Sequence, residues 1–91
     1  MSSKKRVISV VLTAQGATDL DGVLRLWLKN GKLFGPYVNC KSIDPNGPYF
    51  VAIIEETSGS DTIDIEVQIP HHYIRAVVHA PALKKLGFAP T

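Results

Sequence analysis

Alternation of apolar and polar residues is the strongest pattern along the chain. It is clearest in residues 62–69, where Ile63, Ile65, Val67 and Ile69 alternate with Thr62, Asp64, Glu66 and Gln68. Because successive side chains of a β-strand point to opposite faces, this spacing predicts a half-buried antiparallel strand with its apolar side chains directed inward. Residues 23–28 alternate in the same way, which predicts a second strand with its leucines on one face.

Other strands are indicated by composition. Residues 7–13, 49–56 and 74–79 are rich in β-branched and aromatic side chains, which are typical of strands. The pair Asn30-Gly31 predicts a tight two-residue hairpin turn before the run at residues 33–38, because both residues tolerate a positive φ.

Loops and bends separate the remaining strands. Residues 44–48 predict a rigid loop and residues 58–61 a polar turn, because both are rich in Pro, Gly, Asp, Asn or Ser. Pro70 cannot donate to a strand ladder, so the chain is expected to bend at Pro70-His71-His72 before it resumes as a strand at Ile74.

Helical patterns are scarce. Residues 81–87 begin with proline and end with glycine, which predicts one or two helical turns, whereas residues 15–22 are expected to form a loop. Five to six short strands joined by tight turns therefore predict a mainly β fold, in which a small, strongly bent antiparallel sheet rolls into a partly open barrel.

Length and composition limit the functional classes. With 91 residues, 45% of them hydrophobic, the chain is expected to be a single domain over residues 1–91, with a basic flexible tail at residues 1–6 and a helical turn and tail at residues 81–91. The net charge of +2 is too small to establish a nucleic-acid partner. The single cysteine, Cys40, favours a reducing, cytoplasmic compartment. No apolar run reaches the ~20 residues that span a bilayer, so no membrane partner is expected.

Enzymatic motifs and metal motifs are weak. The chain has no nucleophile elbow, phosphate loop or zinc-protease helix, so no catalytic residues are predicted. Asp64 and Glu66 share one strand face, so both carboxylates could act on one substrate as paired catalytic acids. The favoured interpretation is that they belong to an ordinary solvated face. His71, His72 and His79, with Cys40, are the conceivable soft-metal ligands, but adjacent histidines in extended chain point apart, so no metal or cofactor is predicted.

The bend at residues 69–75 concentrates polar, aromatic and cationic groups between two apolar strands. Histidine, tyrosine and arginine can stack on bases and donate hydrogen bonds to base edges or to phosphate, which suits single-stranded nucleic acid. In the alternative interpretation, Tyr73 is a core aromatic residue, Arg75 is a solvated strand residue and the histidines only turn the chain. The residues alone leave both interpretations open.

Two segments resemble the signatures of the Sm-like proteins. Leu28-Lys29-Asn30-Gly31-Lys32-Leu33-Phe34-Gly35 resembles the first signature, an alternating strand, an Asn-Gly or Asp-Gly turn and a strand with a glycine. The bend resembles the second signature in the Hfq branch, with Pro70, His71 and His72 at its Tyr-Lys-His triplet and Ile74, Val77 and Val78 at its apolar positions. Only His72 of the triplet is identical, and the resemblance covers residues 23–79.

The resemblance implies a five-stranded Sm-like, SH3-like barrel, here with an extra N-terminal strand and a short C-terminal helix. It also implies a homo-oligomeric ring of five to seven subunits that binds single-stranded RNA or DNA without catalysis. His71, His72 and Arg75 would donate to bases or phosphate, and the second loop of the family corresponds to residues 41–49. There Asp44 and Asn46 are the candidate polar residues, Tyr49 would stack, and Lys41, with Lys4, Lys5 and Arg6, would attract phosphate.

Two alternatives belong to other classes. The first is a structural homo-oligomeric or protein-adaptor barrel that binds no nucleic acid, and the second is a small metal-dependent enzyme, which ranks last. Salt dependence separates the first alternative from a nucleic-acid binder, because phosphate contacts weaken as salt rises.

Overall fold

A computed structural model of the chain describes residues 7–80. The predicted tail at residues 1–6 and the predicted helical turn and tail at residues 81–91 lie outside the described residues. Residues 7–80 fold mainly as β-structure, and none of their helices has the length and apolar character needed to cross a membrane.

The described elements follow one another with short connections. The strands are β1 (Val7–Leu12), β2 (Leu28–Gly31), β3 (Gly35–Cys40), β4 (Ser42–Asp44), β5 (Phe50–Ser58), β6 (Asp61–Ile69) and β7 (Ile74–Ala80). Two short helices, α1 (Ala14–Asp19) and α2 (Asp21–Leu24), lie between β1 and β2, and a 3₁₀ turn (His71–Tyr73) precedes β7. The predicted strands at residues 7–13, 49–56, 62–69 and 74–79 are thus confirmed with small shifts of their ends.

The strands form two antiparallel sheets. One has the strand order β2-β3-β1-β7 and the other has the order β4-β5-β6. Only Lys41 separates the end of β3 from the start of β4, so the chain passes directly from the first sheet into the second.

The main core contains side chains from both sheets. The largest contributions come from β1, β3 and β5, and β6 and α2 add Ile69 and Leu24. A smaller cluster around Val11 and Tyr37 lies on the other face of the first sheet, which explains why β1 is apolar on both of its faces. Ser9 is buried on that second face, where its hydroxyl donates to the side-chain oxygen of Asn39 at 2.9 Å.

The sequence-based predictions for residues 15–22 and 23–28 are wrong. Residues 14–24 form α1 and α2, residues 25–27 are a turn, and Leu28 starts β2. Thr13 caps α1, because its hydroxyl accepts a hydrogen bond from the Gly16 amide at 2.9 Å. The spacing of Leu20, Leu24 and Trp27 is helical, and all three pack against the core. Leu26, expected on the same strand face as Leu24, is 81% exposed whereas Leu24 is fully buried.

The hairpin between β2 and β3 is confirmed, but its turn begins two residues later than predicted and has three residues instead of two. Asn30 pairs with Pro36 and Gly31 with Gly35, so Asn30-Gly31 belongs to β2 and residues 32–34 form the turn. The positive φ is at Gly35, at +80°, as expected for a longer hairpin loop that closes on a left-handed glycine. Gly31 instead makes room for the ring of Tyr37, because a Cβ there would lie 3.1 Å from its Cε1.

The inward face of β6 is buried at one end only. Ile69 is 1% exposed, Val67 and Ile65 are half-buried, and Ile63 is 55% exposed. The prediction that Ile63 points into a core is therefore wrong, because the β5–β6 hairpin extends beyond the side chains that could cover it.

We expect the two ends of β6 to differ in their effect on stability. Ile69→Ala should lower the free energy of unfolding by about 2–5 kcal/mol, because it leaves a cavity in the core. The matched change Ile63→Ala should cost less than about 1 kcal/mol, because that side chain is already largely in water. Chemical denaturation of both variants measures the difference, and equal losses would contradict the burial gradient along β6.

Candidate functional site

The loop at residues 45–49 and the 3₁₀ turn form one continuous surface. The Nε2–H group of His71 donates to the carbonyl oxygen of Gly47 at 2.8 Å. The His71 ring also meets Phe50, the first residue of β5, edge-on, with 6.2 Å between ring centroids and 84° between planes. We call these two segments, together with Arg75, the loop–turn surface.

The bond from His71 to Gly47 determines that Nε2 of the imidazole ring carries hydrogen. A carbonyl oxygen can only accept a hydrogen bond, so Nε2 carries the proton in this arrangement. The remaining ring nitrogen, Nδ1, is then an acceptor in neutral His71 and a donor in the protonated form. His71 is thus both a structural link and an exposed hydrogen-bonding group.

Two exposed rings stand on the loop–turn surface. His72 lies against Tyr73, with 4.3 Å between ring centroids and 52° between planes. Tyr49 is 47% exposed at the end of the loop, immediately before the buried Phe50. Exposed aromatic side chains held by a rigid backbone can act as stacking platforms for planar groups such as nucleobases.

Asp44 and Asn46 form a local turn at the other end of the loop. The backbone amide of Asn46 donates to the Asp44 carboxylate at 3.1 Å, which is an Asx-turn. This bond gives Asp44 a structural part in shaping the loop. The side chain of Asn46 is exposed and offers an amide donor and a carbonyl acceptor.

Arg75 follows the 3₁₀ turn at an irregular point of β7. The register shifts where Leu12 pairs with Ile74 and Val11 pairs with Ala76, which leaves Arg75 without a partner residue on β1. Its side chain is exposed, and within residues 7–80 it forms no ion pair. The guanidinium group therefore remains available to an anion beside the 3₁₀ turn.

Among the candidates within residues 7–80, Lys41 is the one that the structure separates from the others. Three residues of β4 lie between Lys41 and the loop, and its Nζ is 3.0 Å from the Asp64 carboxylate. Asp64 lies five residues along β6 from Ile69, which is about 17 Å of extended chain. The hydrogen bond that Lys41 donates to the Asp64 carboxylate raises the pKa of Lys41. Lys41 and Asp64 form an exposed ion pair on the outer face of the second sheet.

Helix α1 also contributes to the site, and the sequence pattern did not predict this. The Tyr73 hydroxyl donates to the Asp19 carboxylate, which also accepts from the Gln15 amide at 2.7 Å. The hydrogen bond from Tyr73, and to a lesser extent that from Gln15, lowers the pKa of Asp19, and the same contact raises the pKa of Tyr73. Tyr73 also packs against the main core, as the alternative interpretation of the bend predicts for this residue.

Close packing accompanies these bonds. A Cβ on Gly16 would lie 2.7 Å from the Cβ of Tyr73, so only glycine allows α1 to approach the 3₁₀ turn so closely. The backbone amide of Thr13 also donates to the Tyr73 carbonyl at 2.9 Å. No local sequence pattern indicates these contacts, because the partners are more than fifty residues apart.

The described residues offer no arrangement typical of a metal site. Across residues 7–80, no three His, Cys, Asp or Glu side chains are grouped to hold an ion. Cys40 is buried, and burial raises the pKa of its thiol to about 12, so the reactive thiolate is scarce at neutral pH.

Comparisons of the chain with models of known protein families, with curated proteins and with solved structures found no match.

We expect Gly16→Ala to loosen the contact between α1 and the 3₁₀ turn. The added methyl group must displace the Tyr73 side chain, which should lower the free energy of unfolding by about 1–3 kcal/mol. Gly22→Ala is the matched control in α2, because a Cβ there meets nothing within 4 Å. The control should be neutral or stabilising by up to about 1 kcal/mol, since alanine favours a helix over glycine. A loss of the same size in both variants would contradict the packing argument.

We expect Tyr73→Phe to raise the pKa of Asp19 towards its ordinary value, because the largest cause of its lowering is removed. The bond from Gln15 should keep that pKa somewhat depressed. A carboxylate with a lowered pKa stabilises the folded state above its unfolded pKa of about 3.9, and this stabilisation is lost as the pH falls through the folded pKa. An NMR titration of the Asp19 carboxyl carbon measures the shift, and an unchanged value in the variant would show that the bond is not formed in solution.

Proposed function

We propose that the chain binds single-stranded nucleic acid, RNA or DNA, through the loop–turn surface. The observation that carries the proposal is the grouping of exposed stacking and hydrogen-bonding side chains on two segments that His71 joins to each other. His72 and Tyr49 supply planar rings, Asn46 supplies an amide and Arg75 supplies a cation. Base stacking on such rings contributes about 1–3 kcal/mol per base, so a few contacts give weak but measurable binding.

The distribution of charge favours the loop–turn surface as the nucleic-acid site and disfavours the outer face of the second sheet. By strand register, Asp44, Glu55, Asp64 and Glu66 share that face. A polyanion is repelled by such a face, and Lys41 there is already paired with Asp64. The proposal therefore assigns no phosphate contact to Lys41.

We also propose that the two sheets form a strongly bent five-stranded barrel of the Sm-like, SH3-like kind. In this arrangement β3 and β4 act as one bent strand, and β1, β5, β6 and β7 are the other four. The additional strand is then β2, which pairs with β3, and not the N-terminal strand as predicted. The single residue between β3 and β4 and the core shared by the two sheets support the proposal. So does the short 3₁₀ turn, which joins an edge strand of one sheet to an edge strand of the other.

Ring assembly is the third part of the proposal. β6 and β7 are edge strands of their sheets, and unpaired edges are usually covered or paired. If β6 of one subunit pairs with β7 of the next, five to seven copies close a ring and repeat the loop–turn surface around it. Multivalency then converts a weak single site into useful affinity without further contacts. The function includes no catalytic step, and the buried free thiol of Cys40 suits the cytoplasm.

Exposed apolar side chains favour a protein adaptor as a second candidate. Leu26, Leu33 and Val23 are 81%, 70% and 61% exposed, respectively. Val23 lies in α2 and Leu26 in the turn that follows it, and exposed apolar side chains can mark protein-interaction sites. An adaptor should show no oligonucleotide binding at any salt concentration.

We expect the double variant His72→Ala/Arg75→Ala to bind oligouridylate or oligoadenylate at least about tenfold more weakly than the parent chain, because it loses a stacking ring and a phosphate donor. Lys41→Ala is the matched control, because it also removes one positive charge, and its affinity should stay within about twofold of the parent. Fluorescence anisotropy at low salt measures both affinities.

Light scattering on a sizing column checks that the oligomer of the double variant is unchanged. Equal affinities of the double variant and the parent would reject the assignment of the site. Absence of any binding by the parent would reject the function.

A further inference from the structure

A groove lies between the two helices and the edge strand β2. Its volume is about 450 Å³, and its lining includes Ala14 and Ala17 of α1, Leu28 of β2 and Pro36 of β3. The small side chains of the two alanines leave the groove open. Its size falls within the range of ligand sites in proteins, about 300–1,000 Å³.

Cationic and polar groups line the same groove. Arg25, which directly follows α2, and Lys29 and Asn30 of β2 contribute donors, and Asp21 contributes the single carboxylate of the lining. Arg25 is 2.8 Å from Asp21, and both side chains are more than half exposed, so solvent screens this ion pair. Lys29 forms no ion pair in the part of the chain that the structure describes. The lining therefore has an excess of one positive charge and a cation without a protein counterion.

Helix α1 separates the groove from the loop–turn surface. Its Ala14 and Ala17 line the groove, whereas its Gly16 and Asp19 contact Tyr73 of the 3₁₀ turn. A helix with its side chains is about 10–12 Å across, so both sites lie within reach of one short single strand. The occupied length of known single-strand sites, about 4–16 nucleotides, includes such a span.

We propose that the groove is a second subsite for the same nucleic acid and binds its phosphodiester backbone through Lys29, with Arg25 and Asn30 as further donors. This inference rests on the function proposed above. Bases stack on the loop–turn surface, the strand crosses α1, and the following phosphates lie in the groove. The groove contributes affinity without base preference, because phosphate contacts are independent of sequence.

The test is the salt dependence of binding for a pair of matched variants. Each phosphate contact on a single strand contributes about −0.7 to the slope of log affinity against log salt. With a 16-nucleotide oligouridylate, Lys29→Gln should make that slope shallower by about 0.7 and weaken binding at low salt. Lys41→Gln removes the same charge on the outer face of the second sheet and should leave both quantities unchanged.

The dependence of affinity on oligonucleotide length is a second test of the groove. The parent chain should bind 16 nucleotides more tightly than a dinucleotide, and Lys29→Gln should reduce that gain, because a dinucleotide is too short to occupy both sites across α1. A slope and a length dependence in Lys29→Gln equal to those of Lys41→Gln would overturn the subsite. If His72→Ala/Arg75→Ala still weakens binding in that case, the proposed function stands and only the groove assignment fails.

Two competitors identify the ligand chemistry. Millimolar inorganic phosphate should displace little of the bound oligouridylate, because a free anion makes one contact where the strand makes several. Polyglutamate should compete poorly, because it offers carboxylates but no bases. Displacement by polyglutamate as efficient as by unlabelled oligouridylate would assign the groove to an acidic protein, and strong displacement by phosphate would assign it to a small anion. Either result would overturn the proposal.

Discussion

The rest of the candidate site depends on the bonds that the 3₁₀ turn at His71–Tyr73 forms with its neighbours. The turn connects an edge strand of one sheet to an edge strand of the other, and it bonds to three other segments. The Tyr73 carbonyl accepts from Thr13 at the end of β1, the Tyr73 hydroxyl donates to Asp19 of α1, and His71 donates to Gly47 of the loop. These bonds hold the end of β1, helix α1 and the loop at residues 45–49 in one geometry relative to the 3₁₀ turn. A site that is already ordered loses less entropy when a ligand binds.

Charge is separated across the molecule more strongly than the net value of +2 indicates. The outer face of the second sheet carries four carboxylates and a paired lysine, whereas Arg75 and Lys29 lie elsewhere without ion pairs among residues 7–80. Such an arrangement orients a polyanion more effectively than a uniform excess of charge, because repulsion from one face adds to attraction at the others. Arg75 and Lys29, the cations of the two proposed contacts, lie outside the acidic face, whereas Asn46 adjoins it through its bond to Asp44.

The strands and turns were largely predictable from the sequence, whereas the helices were not. Alternation identified β6, Pro70 identified its end, and the glycine-rich turns identified the hairpins. The helices were missed because α1 and α2 have only six and four residues, too few to be stable alone or to show a full helical repeat. Their stability comes from packing, with Gly16 against Tyr73 and Leu24 in the core. The same strand alternation that identified β6 gave a false strand at residues 23–27, where Leu20, Leu24 and Trp27 follow a helical spacing instead.

The sequence by itself therefore determined the local properties of the chain. These are the residues that form strands, the positions of the turns, and the side chains near the bend that have rings or charges. These properties depend on neighbours a few positions away. Which of those side chains meet was decided by folding, because Tyr73 and Asp19 are 54 positions apart, His71 and Gly47 are 24 apart, and Lys41 and Asp64 are 23 apart. Burial was decided in the same way. Ile63 and Ile69 are equivalent in the alternation, and they differ only because the core reaches one end of β6 and not the other.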